Sequence, residues 1–228
     1  MSALIFDFDG VIADSEALAN TVLAEFVTAL GHPTSLEDSL QRYTGSRWND
    51  VIAKIEAAVG KPVPAGFSDD LKSATLDRFR TDLREVSGAG KFIETFSGVP
   101  RCIASSSSID RLQLCLQVLH LTDKFGSNVF SADMVTRGKP HPDIFLLAAD
   151  RLGVLPESCL VIEDSSSGIK AAVAAGMTAV GLCAASHIRN GHDLKLREAG
   201  AVHLANSWEE VETIAAQFLE GASRRLRV

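Results

Sequence analysis

Short, wholly apolar runs alternate along much of this chain with longer segments in which apolar residues recur every three or four positions. Leu4–Phe6 is apolar throughout and stops at "DGV", the pattern of a strand buried on both faces in a parallel sheet. Similar runs follow at Arg101–Ser105, Asn128–Ala132, Cys159–Asp164, Thr178–Cys183 and Ala201–Ala205. Between them, "RLQLCLQVLHL", "PDIFLLAADRLG" and "GIKAAVAAGM" carry helical spacing. Strands alternating with helices predict an α/β fold built on an open, doubly wound parallel sheet.

One region breaks the alternation. From about Asp14 to Glu85 the chain holds "ALANTVLAEFVTALG", "LEDSLQRY", "RWNDVIAKIEAAVG" and "DDLKSATLDRFRTDLREV", all helical patterns, and no convincing strand. This predicts an α/β domain of residues 1–13 plus 87–228, with a small all-helical domain of residues 14–86 inserted after the first strand. Gly88 and Gly90 in "VSGAGKF" mark the return to the sheet.

A chain of 228 residues can bury a core of this size, and 46% hydrophobic with 22% charged residues is the composition of a globular protein. The 22 Lys and Arg against 29 Asp and Glu, a net charge of -7 without a basic run, speak against nucleic acid and other polyanions as partners. A small anion in a local pocket is compatible with that balance. Cys102, Cys115, Cys159 and Cys183 are scattered through apolar runs without CxxC spacing, which predicts reduced core residues. With no leader-like N-terminus and no stretch long enough to span a bilayer, no membrane association and a cytoplasmic location are expected.

In a doubly wound sheet, ligands collect in the crevice beyond the carboxyl ends of the strands, so the polar residues at those ends belong together. They are Asp7 and Asp9 after the first strand, Ser105 and Ser106 after the second, Lys139 in "TRGKPHPDIF", and Glu163 and Asp164 at the end of "LVIED". Carboxylates gathered away from water repel one another unless a cation joins them. The "SGAGKF" run does not make a phosphate-binding Walker loop, which needs a glycine where Glu85 stands and a Ser or Thr where Phe92 stands; Lys91 reads as a helix-start residue. His141, His187, His192 and His203 lack metal-ligand spacing and read as solvated or structural.

The ordered segments "DFDGV", "IASSSS", "GKPHPDIF" and "IEDSSSGIKAA" resemble the four motifs of the haloacid dehalogenase-like superfamily. The helical insert resembles the small cap of the branch containing beta-phosphoglucomutase and many sugar-phosphate phosphatases. The resemblance covers nearly the whole chain and implies a Rossmann-like core. It also implies a Mg²⁺-dependent phosphomonoester hydrolase acting on a small phosphorylated metabolite, such as a sugar phosphate or a sugar-acid phosphate like phosphogluconate.

By this resemblance Asp7 is the nucleophile that forms an aspartyl-phosphate, and Asp9 protonates the leaving oxygen and later activates water. Asp7, the main-chain carbonyl of Asp9, Glu163 and Asp164 would hold Mg²⁺. Lys139 offsets the carboxylates, Ser105 and Ser106 bind phosphate with the helix start that follows, and Gly10 lets the chain turn into the insert. Arg47 in "YTGSRWND" would pair with an anionic group of the substrate. The chain is expected to be a monomer or a weak homodimer.

The superfamily hosts several reactions. Dehalogenases of this superfamily lack an aspartate at the position of Asp9, phosphonate-cleaving relatives have an alanine there, and beta-phosphoglucomutases carry a histidine where this chain has Ala19. A phosphatase is therefore the leading expectation, with a phosphosugar mutase and a non-catalytic metabolite-binding protein as alternatives.

Overall fold

A computed structural model describes residues 1–225. It contains two compact units, one of Met1–Asp14 with Arg84–Val228 and one of Ser15–Leu83. Among the described residues no helix is long and apolar enough to cross a membrane.

The first unit is built on six strands: β1 (Ala3–Phe6), β2 (Arg101–Ser105), β3 (Val129–Ser131), β4 (Cys159–Glu163), β5 (Thr178–Leu182) and β6 (His203–Ala205). They form one parallel sheet in the order β3-β2-β1-β4-β5-β6. That is the doubly wound arrangement, and the chain reverses its direction of travel across the sheet between β1 and β4. Each of the six apolar runs yields a strand, although those at Asn128 and Ala201 are shorter than the apolar stretch because they form the sheet's two edges.

β1 shows why the run had to be apolar at every position. Successive side chains point to opposite faces, and all four residues are fully buried. Ala3 and Ile5 join a cluster with Cys102, Ala104, Phe145 and Val161 on one face. Phe6 faces the other way, its ring centroid 6.0 Å from those of Phe92 and Trp208 and 5.9 Å from that of Phe125.

The covering helices are α5 (Ala89–Thr95), α6 (Ile109–Val118), α7 (Thr122–Phe125), α8 (Asp143–Leu152), α9 (Ser166–Ala174), α10 (His192–Glu198) and α11 (Trp208–Arg225). Helix α11 docks through Trp208, Val211 and Ala215, all buried. None of the four cysteines is paired, and Cys102, Cys115 and Cys159 are buried.

The second unit consists of α1 (Ser15–Ala29), α2 (Leu36–Tyr43), α3 (Trp48–Val59) and α4 (Phe67–Asp82), with no strand among its residues. Val22, Val27, Tyr43, Ile55 and Phe67 form its core. Ser35 and Asp38 close a reciprocal capping box at the start of α2, and a buried Ser39 hydroxyl donates to Asn20 Oδ1 at 2.8 Å.

The fourth helical pattern was expected to run to Val86, but α4 ends at Asp82. The residues after it turn extended because they pair with the outgoing chain: Asp14 N–H donates to Arg84 O at 2.9 Å and Val86 N–H to Ile12 O at 2.8 Å. Main-chain pairing overrides side-chain periodicity there.

Trp208 gives a test of how the sheet is covered. It is fully buried against Phe6 and Phe92, with a centroid distance of 4.7 Å to the latter, and its indole N–H meets no acceptor among the described residues. Trp208→Ala should lower the unfolding free energy in urea by about 3–5 kcal/mol. Trp208→Phe should cost clearly less, because only area and no hydrogen bond is lost; equal losses would contradict this packing.

Candidate active site

The register of β1 against β4 sets the site. Phe6 lies opposite Ile162, and Asp7 N–H donates to Ile162 O at 2.9 Å, so Asp7 emerges beside Glu163 at the reversal point of the sheet. Main-chain amides of Ile12 and Ala13 both donate to Phe8 O at 2.9 Å, folding the chain into a tight loop immediately beyond Asp7. Gly10 sits in that loop at φ +78°, and a Cβ there would lie 1.9 Å from Asp164 Oδ2. Gly10 is thus needed both for its backbone angle and for the approach of Asp164.

Lys139 reaches this point from the loop ahead of α8. Its side chain is only 3% exposed, and Nζ donates to Asp7 Oδ1 at 2.5 Å and to Glu163 Oε1 at 2.8 Å. The ammonium also lies 5.0 Å from the ring centre of Phe145. Glu163 is fully engaged: its other oxygen, Oε2, accepts from Ser165 N–H at 2.6 Å and Ser165 Oγ at 2.9 Å. Glu163, expected to ligate a metal, here holds Lys139 through one oxygen and the start of α9 through the other.

Burial pushes the Asp7 carboxyl well above the usual carboxylate range; Lys139 pulls against that, and the negative charges of Glu163 and Asp164 add to it. Burial opposes the Lys139 charge, but Asp7 and Glu163 outweigh it and raise its pKa. Asp7 therefore has two further enclosed carboxylates and one ammonium around it. No group of three His, Cys, Asp or Glu side chains among the described residues is arranged to hold a metal ion.

On the other side of β1, Asp9 is held from α6 and from the loop ahead of it. Ser107 Oγ donates to Asp9 Oδ2 at 2.5 Å, and Arg111 Nη2 pairs with Asp9 Oδ1 at 2.5 Å. Ser105 is buried at the end of β2, where its Oγ accepts from Ser107 N–H at 3.1 Å; Ser106 is exposed. At the start of α6, Ile109 N–H donates to Asp133 Oδ2 at 3.1 Å, so that amide is already engaged. Arg47 is an exposed residue at the N-cap of α3 in the helical unit.

The structure brings Asp7, Lys139, Glu163 and Asp164 together. It adds Ser107 and Arg111 to Asp9, and two histidines to Asp164: His187 Nε2 lies 3.3 Å from Asp164 Oδ2, and His192 Nε2 lies 2.5 Å from the Asp164 carbonyl. Burial keeps His192 below the ordinary histidine pKa. A carbonyl can only accept, so Nε2 is the donor. One signal for Arg111 stood in the sequence. A basic residue in the first turn of a helix opposes the helix dipole and calls for a nearby carboxylate. Nothing in the spacing of the histidines pointed to Asp164.

Residues 1–176 match the family model of haloacid dehalogenase-like hydrolases, and the chain belongs to that family. It is 25% identical over 188 residues to the 6-phosphogluconate phosphatase of Escherichia coli, covering 82% of this chain and 85% of that one. It is 32% identical over 223 residues to the phosphorylated carbohydrates phosphatase of Thermotoga maritima, covering 96% and 100%. Among solved structures, a family hydrolase of Deinococcus radiodurans with bound phosphate and sodium superposes with a TM-score of 0.84 at 32% identity, covering 96% of each chain.

Gly168, the third residue of α9, tests how firmly Glu163 is fixed. Replacing a helical glycine by alanine ordinarily stabilises by about 0.5–1 kcal/mol. Here a Cβ would lie 1.6 Å from Glu163 Oε1, and Glu163 cannot retreat without releasing Lys139 or Ser165. Gly168→Ala should therefore destabilise by about 1–3 kcal/mol in urea unfolding. A stabilised variant would show that Glu163 is free to move.

Proposed function

We propose that this chain is a phosphomonoester hydrolase of small phosphorylated sugars or sugar acids, acting through a phosphoryl group carried on Asp7. The observation that carries the reading is the excess of enclosed carboxylate over cation at the reversal point of the sheet. Such a site suits a divalent ion together with a phosphate, and the names of the related phosphatases point to sugar phosphates. We read the helical unit as the cap, with exposed Arg47 as its contribution to an anionic part of the substrate.

The donor set fits Mg²⁺. That ion is held by one or two carboxylates with waters and substrate oxygens making up the rest, and needs no cage of three side chains. Asp7, Asp164 and the main-chain carbonyl of Asp9 would hold it, with Glu163 beside them. When bound, Mg²⁺ supplies positive charge against the phosphoryl oxygens.

Asp7 attacks phosphorus through a carboxylate oxygen while the bond from phosphorus to the sugar oxygen breaks, and Asp9 gives its proton to that oxygen as it leaves. In the second half a water attacks the same phosphorus, its proton passes to Asp9, and the bond between phosphorus and the Asp7 oxygen breaks. Lys139 keeps Asp7 oriented and offsets charge on the phosphoryl oxygens. Ser107 and Arg111 fix the direction of the Asp9 carboxylate, and the Ser105 hydroxyl would donate to a phosphoryl oxygen, with exposed Ser106 beside it. The reduced cysteines are consistent with a cytoplasmic enzyme.

Phosphate release from a panel of sugar phosphates, sugar-acid phosphates, polyol phosphates and nucleotides tests the reading. Release should be highest with sugars or sugar acids and should stop on chelation of Mg²⁺. Asp7→Asn should abolish it, Asp9→Asn should lower kcat by about 10²–10⁴-fold, and Arg111→Ala should lower kcat by up to about 10²-fold through misplacement of Asp9. Near wild-type turnover in Asp7→Asn, or interconversion of phosphate positions without release, would overturn it.

A further inference from the structure

The chain leaves the carboxyl end of β5 and runs to α10 through a loop that contacts both Asp14 and Asp164. Ser186 donates twice to Asp14 Oδ1, from its amide at 3.1 Å and its hydroxyl at 2.9 Å. The next residue, His187, is 8% exposed, and its Nε2 lies 3.3 Å from Asp164 Oδ2. Its ring also rests on the active-site loop, since Cε1 lies 2.9 Å from where a Cβ on Gly10 would be. Arg189 braces the turn by donating to Ser186 O at 2.8 Å and Ile188 O at 3.1 Å. At the far end of the loop, His192 holds the Asp164 carbonyl at 2.5 Å.

We infer that His187 is a positioning residue for the Asp164 carboxylate and that Asp14 sets its place through Ser186, an inference that rests on the reading of Asp164 as a Mg²⁺ carboxylate. A carboxylate held only by its own side chain can rotate about its last bond and present either oxygen. An N–H donor on Oδ2 selects one orientation before any ion arrives, as the outer partners of metal-binding carboxylates do. His192 fixes the same residue by its main chain, so Asp164 is gripped at both ends from one segment.

Asp14 gives this arrangement a second consequence. Its side chain holds the β5 loop, while its amide pairs with Arg84 O at the point where the chain leaves for and returns from the helical unit. One residue therefore links the paired crossing segments to the orientation of Asp164.

The test is Mn²⁺ binding to the full chain, titrated by electron paramagnetic resonance without substrate, together with the Mg²⁺ activation constant for phosphate release. His187→Ala should weaken both by about 10- to 100-fold while leaving KM for the sugar phosphate at saturating Mg²⁺ unchanged, and His187→Gln, which can donate from a similar place, should restore most of the loss. Asp14→Ala should shift both constants in the same direction by a smaller factor. The Asp14→Ala, His187→Ala double variant should be no worse than His187→Ala alone, because the two act in series.

Wild-type Mn²⁺ affinity in His187→Ala, or losses that multiply in the double variant, would overturn the inference. If His187→Ala does not fold, Ser186→Ala, which removes one exposed hydroxyl, should still weaken Mn²⁺ binding, and an unchanged affinity there would equally overturn it. A wild-type chain that binds Mn²⁺ but releases phosphate from no substrate would instead sink the phosphatase reading and leave the His187 result standing.

Discussion

The site depends on one ammonium placed where water is almost excluded. Lys139 bridges Asp7 and Glu163 with almost none of its side chain in contact with solvent. Taking such a charge out of water costs several kcal/mol, and removing Lys139 would leave the buried carboxylates uncompensated at a cost of about 3–5 kcal/mol. The three residues come from the end of β1, the end of β4 and the loop ahead of α8, so this small triangle fixes three separate parts of the chain to one another. The register that brings Asp7 N–H onto Ile162 O, and the absence of a side chain at Gly168, are conditions for its closure.

The triangle is deliberately unbalanced in charge. Asp164 approaches over Gly10 and makes the carboxylates three to one against the ammonium, and the effect is visible in Asp7, whose protonated form is favoured by burial and by its acidic neighbours. A fully neutral cluster would be a structural ion pair and would have no use for a ligand. The residual negative charge gives the arrangement its chemistry, since it can be relieved by a proton on Asp7 or by a further cation, and the cation in turn makes room for phosphate. Asp9 stands apart from this cluster, held by Ser107 and Arg111. The group proposed to attack and the group proposed to move protons thus have different supports and can be perturbed separately.

Much of this was legible in the sequence. The six apolar runs were readable because a parallel strand covered on both faces admits no polar interior position, and the polar residues that terminate them had to gather at one edge of the sheet. The helical insert was readable from the absence of any such run. What escaped reading depended on direction in three dimensions. Glu163 and Asp164 are adjacent in sequence, yet one side chain turns under α9 toward Lys139 and the other over Gly10. Arg111, His187 and His192 lie far from their partners Asp9 and Asp164 along the chain, and only the folded sheet brings them together. Helix α10 is seven residues long and mostly polar, too short for its spacing to stand out, whereas α11 repeats its buried positions at Trp208, Val211 and Ala215 and was open to reading.

Asp7, held by Lys139 at the reversal of the sheet, is the residue proposed to carry the phosphoryl group. Acid quenching of the enzyme during the first turnover of a sugar phosphate, followed by mass spectrometry of its peptides, addresses this most directly. A phosphoryl adduct is expected on the peptide containing Asp7, localised to that side chain and formed at least as fast as phosphate is released. An adduct on any other residue, or phosphate release at full rate with Asp7 unmodified throughout the first turnover, would contradict it.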